Sequence, residues 1–174
     1  MNNGKFFETA IKASVPAYCL YYRLPDPPQS FHHSSSLRFS WKNPCDVFLF
    51  NSKTSKLFTI ELKTTKSKSI SYESPNSPDK QPIRMIHKHQ IQALTDFAKY
   101  KNIISGFLFN FRDESALVER TYFQHIEDFS RMTQLLSKHS FNESDLLKYN
   151  PVIIPGRKKR VHYAWDLEPL LQLE

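Results

Sequence analysis

Apolar and polar positions alternate most regularly from Leu57 to Thr65, where Phe58, Ile60 and Leu62 point one way and Leu57, Thr59, Glu61 and Lys63 the other. That period of two predicts a strand. CDVFLF, residues 45–50, predicts a short strand before it, and NSKTSK at 51–56 supplies the turn of a β-hairpin. AYCLYYRL, residues 17–24, reads as another strand bounded by Pro16 and Pro25. IISGFLFNF at 103–111 reads as a buried strand with RTYFQ, 120–124, as its hairpin partner. Helical spacing marks residues 4–14, with Phe7, Ala10, Ile11 and Ser14 on one side and Phe6 at its edge. A second helix is predicted from Arg84 to Tyr100, with Ile86, Leu94, Phe97 and Ala98 on its apolar face. Two short helices near 125–138 and 143–149 follow, then PVII, GRKKR and VHYAW, then a terminal helix at 166–172.

Helix, strands, helix, strands in this order predicts an α/β or α+β fold, a mixed central sheet flanked by helices. The 174 residues suit one domain, 1–174. Fourteen Phe and eight Tyr favour packed sheet faces over a Leu-rich bundle. Only three Gly, and neither GxGxxG nor GxxxxGK[ST], exclude a phosphate-cradling glycine loop and a nucleotide-driven motor. Proline and serine dominate residues 25–42, which predict a protruding loop, and 73–82 predicts another loop with three prolines. Cys19 and Cys45 form neither a metal spacing nor a disulfide framework. The N-terminal stretch lacks a continuous apolar core and no apolar run approaches a membrane span, so a cytoplasmic protein with no membrane partner is expected.

Charge changes the picture more. Lys and Arg outnumber Asp and Glu by 24 to 17, a formal charge of +7, which suits a polyanionic partner or a merely basic surface. Glu61 and Lys63 share one strand face, and a hairpin brings Asp46 beside Glu61. Two adjacent carboxylates repel, and Mg²⁺, which takes a few carboxylate oxygens with water and phosphate, relieves that repulsion. Taken alone, Glu and Lys on one strand face equally describe a solvated ion pair. Gln90 shares a helical stripe with Ile86, Leu94 and Phe97, so its amide needs a buried partner, either backbone or a metal site. Glu8 lies at the margin of the first helix, as an ordinary surface acid would, or where it can turn towards the same sheet edge. His87 and His89 stand beside Gln90 in HKHQ, where such histidines ordinarily face solvent, without enough further ligands for zinc.

GKFFETAIKAS, CDVFLF, FTIELKTTKSKS, HKHQIQAL, ISGFLFNF and IIPGRKKRVHY occur in the order that resembles RecU-type Holliday junction resolvases, of the PD-(D/E)xK nuclease superfamily. The resemblance spans nearly the whole chain. It implies a restriction-endonuclease-like fold, a homodimer, and Mg²⁺- or Mn²⁺-dependent nicking of opposed strands at a four-way DNA junction during recombination and repair, with recombination proteins as further partners. It implies Asp46, Glu61 and Gln90 as metal-site residues, Lys63 as the catalytic lysine and Glu8 as the acid of the first helix. Cys45-Asp46 replaces the family's Pro-Asp. The 25–42 interval is shorter than the family's stalk, as in a trimmed, phage-type relative. Other readings of the same residues are a repair or restriction endonuclease of the superfamily, or an inactive junction-binding module. GRKKR at 156–160 and KTTKSKS at 63–69 are the densest basic segments, so Lys66, Lys68, Arg157, Lys158, Lys159 and Arg160 are candidate phosphate contacts, together with Arg23 and Lys88.

Overall fold

The computed structural model describes residues 3–25, 42–74, 84–160 and 163–174. Most of the predicted loops at 25–42 and 73–82 therefore lie outside the described residues. In chain order the elements are α1 (Asn3–Ala13), β1 (Cys19–Arg23), β2 (Val47–Asn51), β3 (Lys56–Thr65), β4 (Ser69–Ser71), α2 (Lys88–Ala98), β5 (Ile103–Asp113) and β6 (Val118–His125). There follow α3 (Ile126–Leu135), β7 (Ser140–Asn142), α4 (Glu143–Leu147), β8 (Val152–Ile154), β9 (Gly156–Lys158), β10 (Tyr163–Trp165) and α5 (Glu168–Leu171).

Six strands form one mixed sheet in the order β1-β2-β3-β5-β6-β8. Its single parallel pair is β3 with β5, in which Glu61 lies beside Phe107 and Lys63 beside Phe109; the other neighbours are antiparallel. The parallel step requires a crossover, and α2 is the helix within it. Gly106 permits the close β5–β6 packing: a Cβ built there would meet the Phe123 ring at 2.7 Å and the Gln124 carbonyl closer still.

Each sheet face carries its own core. Phe58, Ile60, Leu49, Leu108 and Phe123 pack under α1, β10 and α5 through Phe7, Ile11, Trp165 and Leu170. On the other face Phe107, Phe109 and Phe111 pack against Leu94 of α2, Phe129 and Met132 of α3, and Phe141 of β7. Burial on both faces explains why β3 is closed off at Phe58, Thr59, Ile60 and Glu61 in succession. The buried amide of Asn110 is met by Thr64 (2.7 Å) and Thr121 (3.0 Å) on the flanking strands.

Several boundaries differ from the sequence reading. The second helix starts at Lys88, not Arg84, and ends at Ala98. Ile86 is not on its apolar face: it bridges Tyr72 in extended conformation, with its N–H on the Ser71 carbonyl at 3.0 Å. An isolated apolar residue serves a helix stripe or a sheet bridge equally well, and here long-range pairing with β4 decides. The later helices are also shorter than predicted, and α3 stops at Leu135 ahead of β7, which pairs with β4. The first strand begins at Cys19 and the second at Val47, which leaves Asp46 just outside the ladder.

Candidate active site

The Asp46 backbone N–H still bonds to the Ile60 carbonyl at 3.1 Å, but the chain then leaves the sheet. Leu62 would otherwise lose its cross-strand acceptor, and the Asp46 carboxylate replaces it, Oδ2 accepting from the Leu62 N–H at 2.8 Å. The acid is thereby fixed at the strand end, one pair beyond the Val47–Ile60 register and next to Glu61.

Glu61 is 3% exposed. Lys63 Nζ lies 3.0 Å from its Oε1, and Gln90 donates from Nε2 to the same oxygen. The other end of the Gln90 amide accepts the His87 backbone N–H at 2.9 Å, which closes the first turn of α2. Gln90 therefore couples the helix start to the buried carboxylate. Burial pushes the Glu61 carboxyl up to about 7; Lys63 opposes the shift and the Asp46 carboxylate adds to it. The predicted trio of Asp46, Glu61 and Lys63 is brought together, with Gln90 as the fourth member.

Glu8 is placed differently. It forms an ion pair with Arg23 of β1, and both stand on the α1 face of the sheet, opposite the one from which Glu61 projects. Asp46, just before β2, accepts the Leu24 N–H on its carbonyl at 2.9 Å, which ties it to the strand that carries Arg23.

Glu73 carries no mark in the sequence, yet its Oε2 accepts the Lys88 N–H at 2.7 Å and its Oε1 lies 3.0 Å from His87 Nδ1. It caps α2, and its carboxyl is lowered by the Lys88 N–H and by His87. The rings of His87 and His89 stack with centroids 5.5 Å apart. Burial lowers His89, and Lys42, His87 and Lys63 add to that shift, which places His89 on the lysine side of the site. No local signal could have found Glu73, because its partners are 14 and 15 residues away.

Of the basic candidates, Lys66 pairs with Glu114 at 2.6 Å and Lys68 and Lys88 are exposed. Arg157, Lys158, Lys159 and Arg160 are exposed at the β9–β10 hairpin, whose Trp165 packs on Phe7 of α1. That hairpin belongs to the α1 face and is not brought against Glu61. Among the described residues no helix is long and apolar enough to cross a membrane.

No three His, Cys, Asp or Glu side chains gather into a ready-made metal centre among the described residues. The donor set is two carboxylates, one buried and both oriented by neighbours, which fits a hard divalent cation that keeps several waters and takes phosphate oxygens.

Fold and site together define a mixed-sheet domain, six strands flanked by helices, with a carboxylate pair and a lysine at the β2–β3 edge. No family profile matches the chain. The chain belongs to the same family as the SPbeta prophage-derived uncharacterized protein YotM of Bacillus subtilis (strain 168), with 33% identity over 186 residues, 97% of this chain and 85% of that protein. Among solved structures, Hjc of Archaeoglobus fulgidus, a Holliday junction resolvase, aligns with a TM-score of 0.47 and 14% identity over 83% of this chain and 91% of its own.

Proposed function

We propose that this protein is a metal-dependent DNA endonuclease that nicks four-way junctions as a homodimer. The observation that carries the reading is the buried Glu61 carboxylate, held by Lys63 and Gln90 while a second carboxylate, Asp46, stands against it. A structural acid would be matched by donors; here two carboxyl groups face one lysine, so that ionising both leaves an imbalance that a cation would offset. Asp46, Glu61 and Gln90 would hold Mg²⁺ or Mn²⁺. When bound, the cation supplies charge neutralisation at a phosphodiester and acidifies an attacking water.

The chain's own residues do the rest. Gln90 and Lys63 fix the Glu61 carboxylate, and the Leu62 N–H fixes Asp46. The Lys63 ammonium, mostly covered, orients the attacking water and stabilises charge developing on the phosphate. Lys66, Lys68, Lys88, Arg23 and Arg157–Arg160 hold flanking phosphates, which sets register without reading bases. Two copies of one site suit the two-fold symmetry of a junction. The resemblance to RecU-type resolvases supports the junction as substrate, and the prophage-derived relative supports a phage-type setting.

The test is cleavage of a synthetic four-way junction with Mg²⁺ or Mn²⁺, beside forks, linear duplex and single strands. Wild type should nick the junction in preference to the others, while Asp46→Asn and Glu61→Gln should bind it and lose cleavage by about a thousandfold. Equal cutting of linear duplex would point to a restriction or repair endonuclease. Tight junction binding with no cutting in either metal would leave a binding module.

A further inference from the structure

Tyr21 stands opposite Leu49 on the edge strand β1 and faces α1. Its hydroxyl is closed off from solvent and has no hydrogen-bond partner among the described residues. Such a group is costly to leave unmet, and native proteins keep few of them. Burial, followed by the charge of Glu8, pushes this phenol up to about 12, with Asp46 adding and Arg23 opposing. The hydroxyl therefore keeps its proton and is a donor lacking an acceptor, on the same face of β1 as Arg23, two residues along, which holds Glu8.

Glu8 is at present satisfied by Arg23, whose side chain is 34% exposed and also donates from Nη1 to the Leu24 carbonyl at 3.0 Å. A guanidinium fits phosphate oxygens as well as it fits a carboxylate. If Arg23 turns to a backbone phosphate, Glu8 loses its partner on the sheet face that also carries the unmet hydroxyl. Asp46 needs no such replacement, because its carboxylate stays on the Leu62 N–H.

We propose that Tyr21 is a positioning residue that takes over Glu8 when Arg23 exchanges that carboxylate for a DNA phosphate. The inference rests on the DNA-binding reading above. The exchange makes the free protein tolerate an unmet hydroxyl and recovers that cost on binding, so Tyr21 couples DNA contact at β1 to the placement of the α1 acid.

The experiment is a double-mutant cycle of Tyr21→Phe and Arg23→Ala, read in two ways. Affinity for a four-way junction is measured in Ca²⁺, and melting temperature is measured without DNA. Tyr21→Phe should weaken junction binding about tenfold, as for a hydrogen bond to a charged group, with a melting temperature equal to or above wild type. In the Arg23→Ala background Tyr21 already serves Glu8, so Tyr21→Phe should lower the melting temperature and leave affinity unchanged. Unchanged affinity for Tyr21→Phe alone, or an equal loss in both backgrounds, would overturn the exchange. If wild type binds no DNA, the functional reading fails and phosphate exchange with it. The background-dependent melting temperatures would still show whether Tyr21 replaces Arg23 at Glu8.

Discussion

Glu61 and Asp145 are both nearly removed from solvent, 3% and 8% exposed, yet their neighbours act in opposite senses. Asp145 opens α4, where its Oδ2 accepts from Lys138 at 2.6 Å and from the Asn142 N–H at 3.1 Å, while Asn142 Oδ1 accepts the Asp145 N–H at 2.8 Å. This reciprocal cap lies near the surface and holds its carboxyl below the ordinary aspartate value, Lys138 first among the causes. Glu61 sits deeper. Its two donors, Lys63 and Gln90, do not outweigh burial and the Asp46 carboxylate, and its carboxyl rises to about 7. One acid contributes to folding. The other is retained at a cost, which is the pattern expected of a group whose partner arrives from outside.

The largest effect should come from relieving that cost. Glu61's folded value lies above its ordinary 4.5, so between there and about 7 the folded protein keeps a proton the unfolded chain has released. Stability therefore falls as pH rises through this window, by about 3 kcal/mol at its upper end. Glu61→Gln removes the proton-linked loss while stranding Lys63. The net expectation is a gain of about 2 kcal/mol at pH 8 in chelator, and a flatter stability profile between pH 4.5 and 7. Urea unfolding across pH checks both; a destabilised variant at pH 8 would mean that Glu61 is matched after all.

Asp145→Ala should act in the other direction. It removes the acceptor of the Asn142 N–H and one half of the cap, a loss of about 1.5 kcal/mol at neutral pH. Asp145's folded value lies below its ordinary 3.8, so its contribution is full above that pH and lost as pH falls through the folded value. The difference between wild type and Asp145→Ala should shrink on acidification, whereas that between wild type and Glu61→Gln should grow on alkalinisation. Parallel pH profiles for the two variants would erase the contrast.

The sequence exposed one of these acids better than the other, for a physical reason. Alternation along β3 placed Glu61 and Lys63 on one face, and the adjacent apolar run placed Asp46 beside them, because strand periodicity is local. Gln90 stood out as an amide on an apolar helix stripe, and the structure gives it the buried Glu61 as partner. The mixed sheet flanked by helices was likewise legible from the order of elements. Glu73, Tyr21 and the Glu8–Arg23 pair were not, since each depends on which distant strand or helix end lies alongside. β4 and β7, of three residues each, are too short to show a period, and missing them extended α2 back to Arg84 and misplaced Ile86.

The mildest test separates the two acids through their lysines. Lys138 is 47% exposed in its side chain and serves an acid that also has the Asn142 N–H, so Lys138→Met should cost only about 0.5 kcal/mol. Lys63 is 15% exposed and is the only cation in direct contact with Glu61 among the described residues. Without it the carboxyl should rise further, because the attraction that opposes burial is gone. At pH 5 to 6 a neutral Glu61 no longer needs the lysine, and Lys63→Met should be close to neutral, within about 0.5 kcal/mol. Its cost should appear only as pH rises past the wild-type value, where wild type ionises Glu61 beside the lysine and the variant must keep it protonated. A penalty for Lys63→Met that stayed constant with pH would mean that the lysine stabilises the strand end by packing and that Glu61 is not an unmatched acid.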